Sequence, residues 1–160
     1  MNKYKLKISS INVNGICETV KRSKVMKLLV DSQSDIILVQ ETHCASLDDW
    51  EGASYCSFLT NYSAGTAILV RKNFLGTVTP IHISDDGRLV AADIDHLGSH
   101  LCVLSVYARN VPKDCWFNHQ ATQASRLDCV FVPSKLLENT FAEFFPYSDH
   151  KFVHCFLAIE

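Results

Sequence analysis

The chain has 160 residues, of which 48% are hydrophobic and 20% are charged, and its formal net charge is −2. This length is typical of one domain, and the apolar content excludes a chain that stays disordered, so we predict a single domain over residues 1–160. The charge excludes a globally basic nucleic-acid-binding protein, so contact with a polyanion would depend on local groups or a bound cation.

The N-terminal stretch and the cysteines indicate the compartment. The first residues, MNKYKLKISSINVNG, include lysines but no sustained apolar run, so we expect neither a signal peptide nor a membrane span. The seven cysteines are odd in number and never spaced as CxxC, which argues against a zinc site or a disulfide framework. We therefore expect reduced core thiols in an intracellular protein of the nucleus or cytoplasm that is not secreted.

The first third of the chain predicts a strand, a helix and a second strand. Apolar and polar residues alternate over Lys5–Asn12, which predicts a strand, and a turn follows at Gly15. Val20–Val30 has apolar residues on one side and basic residues elsewhere, as in an amphipathic helix. The basic face is either simply solvated or steers phosphates. Ile36–Gln40 is continuously apolar, as in a strand buried on both faces, and its end places Glu41 at the rim of the sheet.

The rest of the chain predicts mainly strands. We predict them at Gly65–Val70, Thr77–Ile83, Leu89–Ile94, His100–Tyr107, Arg126–Val132 and Phe152–Ile159. The turn sequence Asp85-Asp86-Gly87 joins the second and third of these as a hairpin. Many strands with few helices indicate an α/β fold in which two β-sheets pack face to face with helices outside.

Polar residues stand where these apolar strands start or stop. The residues that share this placement are Asn12, Glu41, Tyr107, Asp128, Asp149 and His150. Together they supply carboxylates for a hard cation, a histidine with carboxylate partners, and amide and phenol donors for an oxyanion. Phosphodiester cleavage requires these groups, because a cation must neutralise the negative diester and donors must stabilise the charge of the transition state. Mg²⁺ suits such a site because it needs only one or two protein carboxylates.

Each candidate also has a structural interpretation. Glu41 is equally consistent with a rim carboxylate that binds nothing, and Asn12 with a residue that serves the turn. Tyr107 is consistent with packing in an aromatic cluster, and Asp128 with a purely structural hydrogen bond to His150. Three other residues are best explained without catalysis: packing or surface exposure for His43, and packing for Trp116 and Phe117.

The order of the motifs supports the chemical interpretation. INVNG, LVQETH, SVYARN, SRLDCVFV and YSDH, spread over residues 6–159, resemble the successive motifs of the endonuclease/exonuclease/phosphatase family. The branch they resemble most is the AP-endonuclease-like domain of LINE-type retrotransposons. The resemblance implies a four-layer αββα sandwich, a Mg²⁺ or Mn²⁺ cofactor, and the DNA phosphodiester backbone as substrate.

The resemblance also implies roles at the metal and phosphate. Glu41 of QETH is similar to the main metal ligand of the family, and Asp149 of SDH to a further carboxylate near the metal. Asn12 resembles the residue that orients the metal and phosphate site. Tyr107 resembles the phenol that faces the phosphate.

Four further residues are assigned on the same ground. Asp128 of SRLD resembles the carboxylate that pairs with the family histidine, which would be His150. Asn110 and Ser125 are similar in position to residues that sit beside the substrate backbone.

One family motif is missing from the sequence. The family carries GDFN, which positions the attacking water, between the motifs at Tyr107 and Asp128; here these two residues are only 21 positions apart and no GDFN occurs. Arg109 also replaces a family proline. We therefore expect a truncated fold and an enzyme that is weakened or inactive, since general base assistance contributes about 10²–10⁴-fold. The alternatives are a catalytically dead remnant that binds nucleic acid or a partner, and a phosphatase or exonuclease for a small substrate.

Overall fold

The computed structural model describes residues 4–107 and 137–159. In this part of the chain there are nine strands and one helix. They are β1 (Tyr4–Asn12), α1 (Thr19–Asp31), β2 (Ile36–Gln40), β3 (Ser54–Ser57), β4 (Thr66–Val70), β5 (Gly76–Ile83), β6 (Leu89–His96), β7 (Ser99–Val106), β8 (Leu137–Phe144) and β9 (Lys151–Ile159).

The described strands form two sheets. The larger sheet has six strands in the order β3-β4-β2-β1-β9-β8, and the smaller has the order β5-β6-β7. β1 and β2 are parallel, with Asn12 beside Gln40, and every other neighbouring pair is antiparallel. Because β9 runs antiparallel to β1, its first residues lie near the end of β1.

Two hydrophobic cores lie between the two sheets and the helix. The core between the two sheets consists of Leu6, Ile8, Ile36, Leu38, Ile68, Val70 and Leu157 from the larger sheet and Val90, Ala92, Ile94 and Val103 from the smaller. The other core packs the opposite face of the larger sheet against α1, whose buried residues are Val25, Met26 and Leu29. Both faces of the larger sheet are therefore buried, which explains why β2 is apolar at every position except its last.

The predicted α/β architecture of two face-to-face sheets with helix outside is confirmed. The described residues supply three of the four layers, since their only helix covers the larger sheet. Every strand predicted within them is found, and α1 matches the predicted helix. β3 and β8 were not predicted, and the predicted strand at 126–132 lies outside the described residues.

The cysteines correct one expectation. The described cysteines are all free thiols, but Cys17 and Cys102 are exposed, so the prediction of core thiols is wrong for these two. Cys44 and Cys155 are buried as expected.

The helix content bears on membrane insertion. α1 has 13 residues, and no helix in the described ranges combines the length and the apolar character needed to span a membrane.

Candidate active site at the strand ends

The topology brings the predicted site residues of the described ranges to one edge of the sheets. Asn12 ends β1, and Glu41 follows β2, its parallel neighbour. His150 immediately precedes β9, which pairs with β1 in the opposite direction, so it lies at the same edge. Tyr107 follows β7 of the smaller sheet. The side chain of Gln40, which donates to Ser105 Oγ at 3.1 Å, holds the end of β7 against the end of β2.

Asn12 and Glu41 form a direct buried contact. Asn12 Nδ2 donates to Glu41 Oε1 at 2.9 Å, and the two residues are only 4% and 6% exposed. The Asn12 side chain also accepts from the backbone N–H of Asn14 at 3.0 Å, which makes an Asx turn. The Asn12 side chain therefore stabilises the turn through its oxygen and orients the Glu41 carboxylate through its nitrogen. A buried carboxylate with a fixed orientation is the arrangement that a cation site requires.

Backbone hydrogen bonds continue the sheet into the loops that carry this pair. Gly15 N–H donates to the carbonyl oxygen of Glu41 at 2.7 Å, and Ile16 N–H to that of Thr42 at 3.0 Å. On the other side, Thr42 N–H donates to the carbonyl oxygen of Gly65 at 3.0 Å. The loop after β2 is thus held between two neighbouring loops, and this fixes the position of Glu41.

Backbone strain is concentrated at the same edge. Four residues other than glycine have left-handed backbone conformations here: Asn14 (φ 50°), Glu41 (φ 53°), His43 (φ 56°) and Ala64 (φ 60°). Asparagine and histidine tolerate this region better than most residues, but for Glu41 and Ala64 it costs on the order of 1–3 kcal/mol each. Strain of this kind persists only where the surroundings enforce it, and it is typical of functional sites.

His43 is a neighbour of Glu41. Its Nε2 lies 3.9 Å from Glu41 Oε2, and its ring packs so closely on Gly15 that a Cβ there would come within 2.7 Å of Nδ1. Burial lowers the pKa of His43, and the nearby Glu41 carboxylate partly offsets this, so the ring is neutral at pH 7. The sequence favoured packing or surface exposure for this residue. The structure places it beside the candidate carboxylate, and its position in the QETH motif was the available signal.

Asp149 and His150 differ greatly in exposure. The side chain of His150 is 6% exposed and that of Asp149 is 81% exposed, and His150 Nε2 lies 3.6 Å from Asp149 Oδ1. The backbone N–H of His150 donates to Ser148 Oγ at 3.2 Å, which sets the turn before β9. This burial gives His150 a fixed position, whereas Asp149 faces solvent.

Tyr107 is half-buried, and its backbone N–H donates to the carbonyl oxygen of Arg88 at 2.8 Å. This bond ties the end of β7 to the β5–β6 hairpin. The other predicted site residues, Asn110, Ser125 and Asp128, lie outside the described residues, as do Trp116 and Phe117.

The described residues limit the kind of metal site that they could form. Within residues 4–107 and 137–159, no three His, Cys, Asp or Glu side chains converge on a point that could hold a metal ion, so these residues form no four-ligand zinc site. Asn12 orients the Glu41 carboxylate through one of its oxygens. A hydrated Mg²⁺, which needs one or two carboxylates, is compatible with this donor set.

Comparison with known proteins gives a family match and matches to solved structures. A model of the Endonuclease/Exonuclease/phosphatase family matches residues 9–128, a span that includes Asn12, Glu41 and Tyr107. The fold is similar to that of the endonuclease domain of TRAS1, a telomere-specific non-LTR retrotransposon, with a TM-score of 0.64 and 9% sequence identity over 97% of this chain and 99% of that chain. No curated protein sequence matches the chain.

Proposed function

This chain belongs to the Endonuclease/Exonuclease/phosphatase family, and from that premise we propose that it is a metal-dependent phosphodiesterase whose substrate is DNA. The observation that carries the proposal is the buried contact between Asn12 and Glu41 at the strand ends, where the backbone is strained. Asn12 holds the Glu41 carboxylate in a fixed orientation through one of its oxygens, as a metal ligand requires.

We assign the cofactor as Mg²⁺, with Mn²⁺ as a substitute. Glu41 would be the main ligand, and Asp149 a second carboxylate that acts through a water molecule or at the entrance. When bound, the cation would neutralise the charge on the phosphodiester oxygens. A chain of net charge −2 has no overall attraction for DNA, so a cation at this edge would supply what the surface does not.

The remaining residues of the edge would orient and stabilise the phosphate. His150, held by burial, would donate a hydrogen bond to a phosphate oxygen, and Tyr107 would present its phenol to the same group. Removing one such donor from an enzyme typically reduces turnover by about 10²–10³-fold. Asn12 would act mainly by fixing the Glu41 carboxylate.

We propose DNA as the substrate, and a LINE-type retrotransposon as the source of the domain, because two observations agree. The order of the motifs resembles that branch, and the fold is shared with a retrotransposon endonuclease domain. A phosphatase or exonuclease for a small phosphorylated substrate would use the same residues, and a substrate panel separates the two functions.

A second candidate function is nucleic-acid binding without turnover. The observation that favours it is the absence of GDFN from the sequence, because this motif positions the attacking water in the family. Metal binding at Glu41 does not depend on that motif, whereas efficient hydrolysis does. A protein of this second kind would bind DNA and release it uncut.

Nicking of supercoiled plasmid by the purified full chain tests the proposal. We expect Mg²⁺-dependent nicking that EDTA abolishes and that Glu41→Gln lowers by at least about 10²-fold. Asp31→Asn is the matched control, since this exposed carboxylate at the end of α1 is remote from the edge, and it should nick at the wild-type rate.

The two functions separate in a parallel binding measurement. DNA binding by fluorescence anisotropy with no nicking in Mg²⁺ or Mn²⁺ would support the binding function and refute the enzyme. Equal nicking by wild type and Glu41→Gln would refute the assignment of the metal site. Hydrolysis of small phosphate esters without plasmid nicking would favour the phosphatase or exonuclease function.

A further inference from the structure

Two thiols lie close together beside the candidate active site. Cys17 Sγ and Cys44 Sγ are 3.6 Å apart, although 27 positions separate them in sequence. Cys17 is on the loop that follows β1, and Cys44 is on the loop that follows β2. These are the loops that carry Asn14, Glu41 and His43. A disulfide requires a separation of about 2.05 Å, so the two sulfur atoms would have to approach by roughly 1.5 Å in total.

The backbone on which the two thiols are mounted is already fixed. The hydrogen bonds from Gly15 to Glu41 and from Ile16 to Thr42 align the two loops immediately before the cysteines. The loops therefore extend the parallel pairing of β1 and β2 beyond the strands. This fixed backbone favours disulfide formation by rotation of the two cysteine side chains, because most of the conformational entropy of the loops has already been lost in folding.

Each thiol makes a weak contact that it can exchange. Cys17 Sγ donates to the carbonyl oxygen of His43 at 2.5 Å, and Cys44 Sγ donates to that of Thr42 at 3.2 Å. A thiol is a weak donor, so oxidation of the pair gives up little hydrogen-bond energy.

The two thiols differ in their access to solvent. Cys17 is exposed, whereas Cys44 is buried. Burial, with the contact to Cys17, raises the pKa of Cys44 to about 11, so this thiol is protonated at pH 7 and reacts slowly with an oxidant in solution. An oxidant in solution therefore reaches Cys17 first.

We propose that Cys17 and Cys44 are an oxidative modification site, at which a peroxide converts the pair to an intramolecular disulfide. Cys17 sulfur attacks one oxygen of hydrogen peroxide, the O–O bond breaks, and a sulfenic acid and one water molecule result. Cys44 sulfur then attacks the Cys17 sulfur, the S–O bond breaks, and the departing hydroxide takes the Cys44 proton as a second water molecule. Two thiols are thus oxidised and one peroxide is reduced to two waters.

The disulfide would join the loop that carries Glu41 to the neighbouring loop after β1. It closes a loop of intermediate length, for which a cross-link raises the melting temperature of a domain of this size by at least a few degrees. This inference does not depend on the proposed function, since neither oxidation nor its readout requires nuclease activity.

Oxidation of the full chain with hydrogen peroxide, followed by alkylation and peptide mapping by mass spectrometry, tests the proposal. We expect one dominant cross-linked peptide that contains Cys17 and Cys44 and that is lighter by two hydrogen atoms than the sum of the two free peptides. The melting temperature should rise on oxidation of the wild type. Cys17→Ser, an exposed change that leaves folding intact, should lose both effects. Cys102→Ser, the matched exposed control, should keep both.

Three outcomes would overturn the proposal. One is the accumulation of Cys17 sulfinic or sulfonic acid without the cross-link. Another is a cross-link that forms no faster in the folded chain than in urea, because the native geometry would then contribute nothing. The third is pairing of Cys17 with another cysteine in equal yield.

Discussion

Two polar clusters of the larger sheet invite comparison. The strand-end cluster consists of Asn12, Glu41 and His43. The mid-sheet cluster consists of Ser9, His154 and Glu143, in which Ser9 Oγ lies 2.7 Å from His154 Nδ1 and His154 Nε2 lies 2.8 Å from Glu143 Oε1. By composition and by distance, the mid-sheet cluster resembles a hydrolytic triad more than the strand-end cluster does, since Glu41 and His43 are 3.9 Å apart.

Access and backbone conformation reverse that ranking. Ser9 and His154 are fully buried and face each other across regular paired strands, and Ser9 Oγ also contacts Ser34 Oγ at 2.6 Å. A nucleophile must reach its substrate, and this hydroxyl lies within the sheet. The strand-end cluster has left-handed backbone at Glu41 and His43, and the His43 side chain is 16% exposed. The short hydrogen bonds of Ser9 therefore belong to a buried structural contact, whereas backbone strain at a strand end marks a candidate site.

The largest expected effect is the difference in the free energy of unfolding between a variant of His154 and a variant of His43. His154→Ala should lower the free energy of unfolding by about 2–4 kcal/mol, because it leaves a cavity and unsatisfied hydroxyl groups. His43→Ala should change it by less than about 1 kcal/mol, since the residue is on a loop and its side chain is 16% exposed. Urea denaturation followed by circular dichroism measures both. Equal losses of unfolding free energy in the two variants would contradict the assignment of one cluster as structural and the other as functional.

The serine pair should give the next largest effect. Ser9→Ala should cost about 1–3 kcal/mol, because both Ser34 Oγ and His154 Nδ1 lose a buried partner. Ser9→Ala combined with Ser34→Ala should cost less than the sum of the single changes, since the double variant removes both members of one contact. The same urea titrations test this, and strict additivity would show that the hydroxyls do not interact.

The smallest effect concerns pH. Burial lowers the pKa of His154, so below about pH 6.5 the unfolded chain binds more protons at this residue than the folded chain does. The stability that depends on neutral His154 is therefore present above about pH 6.5 and is lost as the pH falls towards the lower pKa of the folded state. His154→Gln should flatten that part of the stability curve, measured by urea midpoints between about pH 7.5 and 5.5.

A surface histidine provides a control of opposite sign. The hydrogen bond to Asp95 raises the pKa of His100, so its contribution is present below about pH 6.5 and is lost as the pH rises through its folded pKa. His100→Gln should leave the acid-side loss unchanged or deepen it. A variant of His100 that removed that loss would contradict the assignment to His154.

Most of the fold followed from the sequence because its strands are alternating or continuous apolar runs between turn residues, and its helix has apolar residues on one side. The failures were β3 and β8. The first is only four residues, SYCS, and the second has charged and exposed residues along it, including Glu138 and Glu143. Neither carries a pattern of its own, and each is a strand because it pairs with a stronger neighbour, β4 or β9. Tertiary pairing decided these elements, as it commonly does in sheets.

The candidate site was predictable only in part. Asn12 and Glu41 could be found because they end apolar strands, and parallel strands bring such ends together. The position of His43 depends on left-handed backbone at Glu41 and at His43 itself, which no side-chain pattern indicates. The contact of Ser9 with His154 spans 145 positions and follows from the register of β1 and β9, which the sequence leaves open.

The pairing of β1 with β9 has a consequence for synthesis on the ribosome. β1 is translated before the other described strands, yet its antiparallel partner emerges about 145 residues later. At roughly 5–20 residues per second, the hydrogen-bonding edge of β1 that later pairs with β9 remains available to other nascent chains for about 7–30 s. Lys5 and Lys7 along that strand place positive charge on it during this interval, and charged residues on an open edge discourage edge-to-edge aggregation.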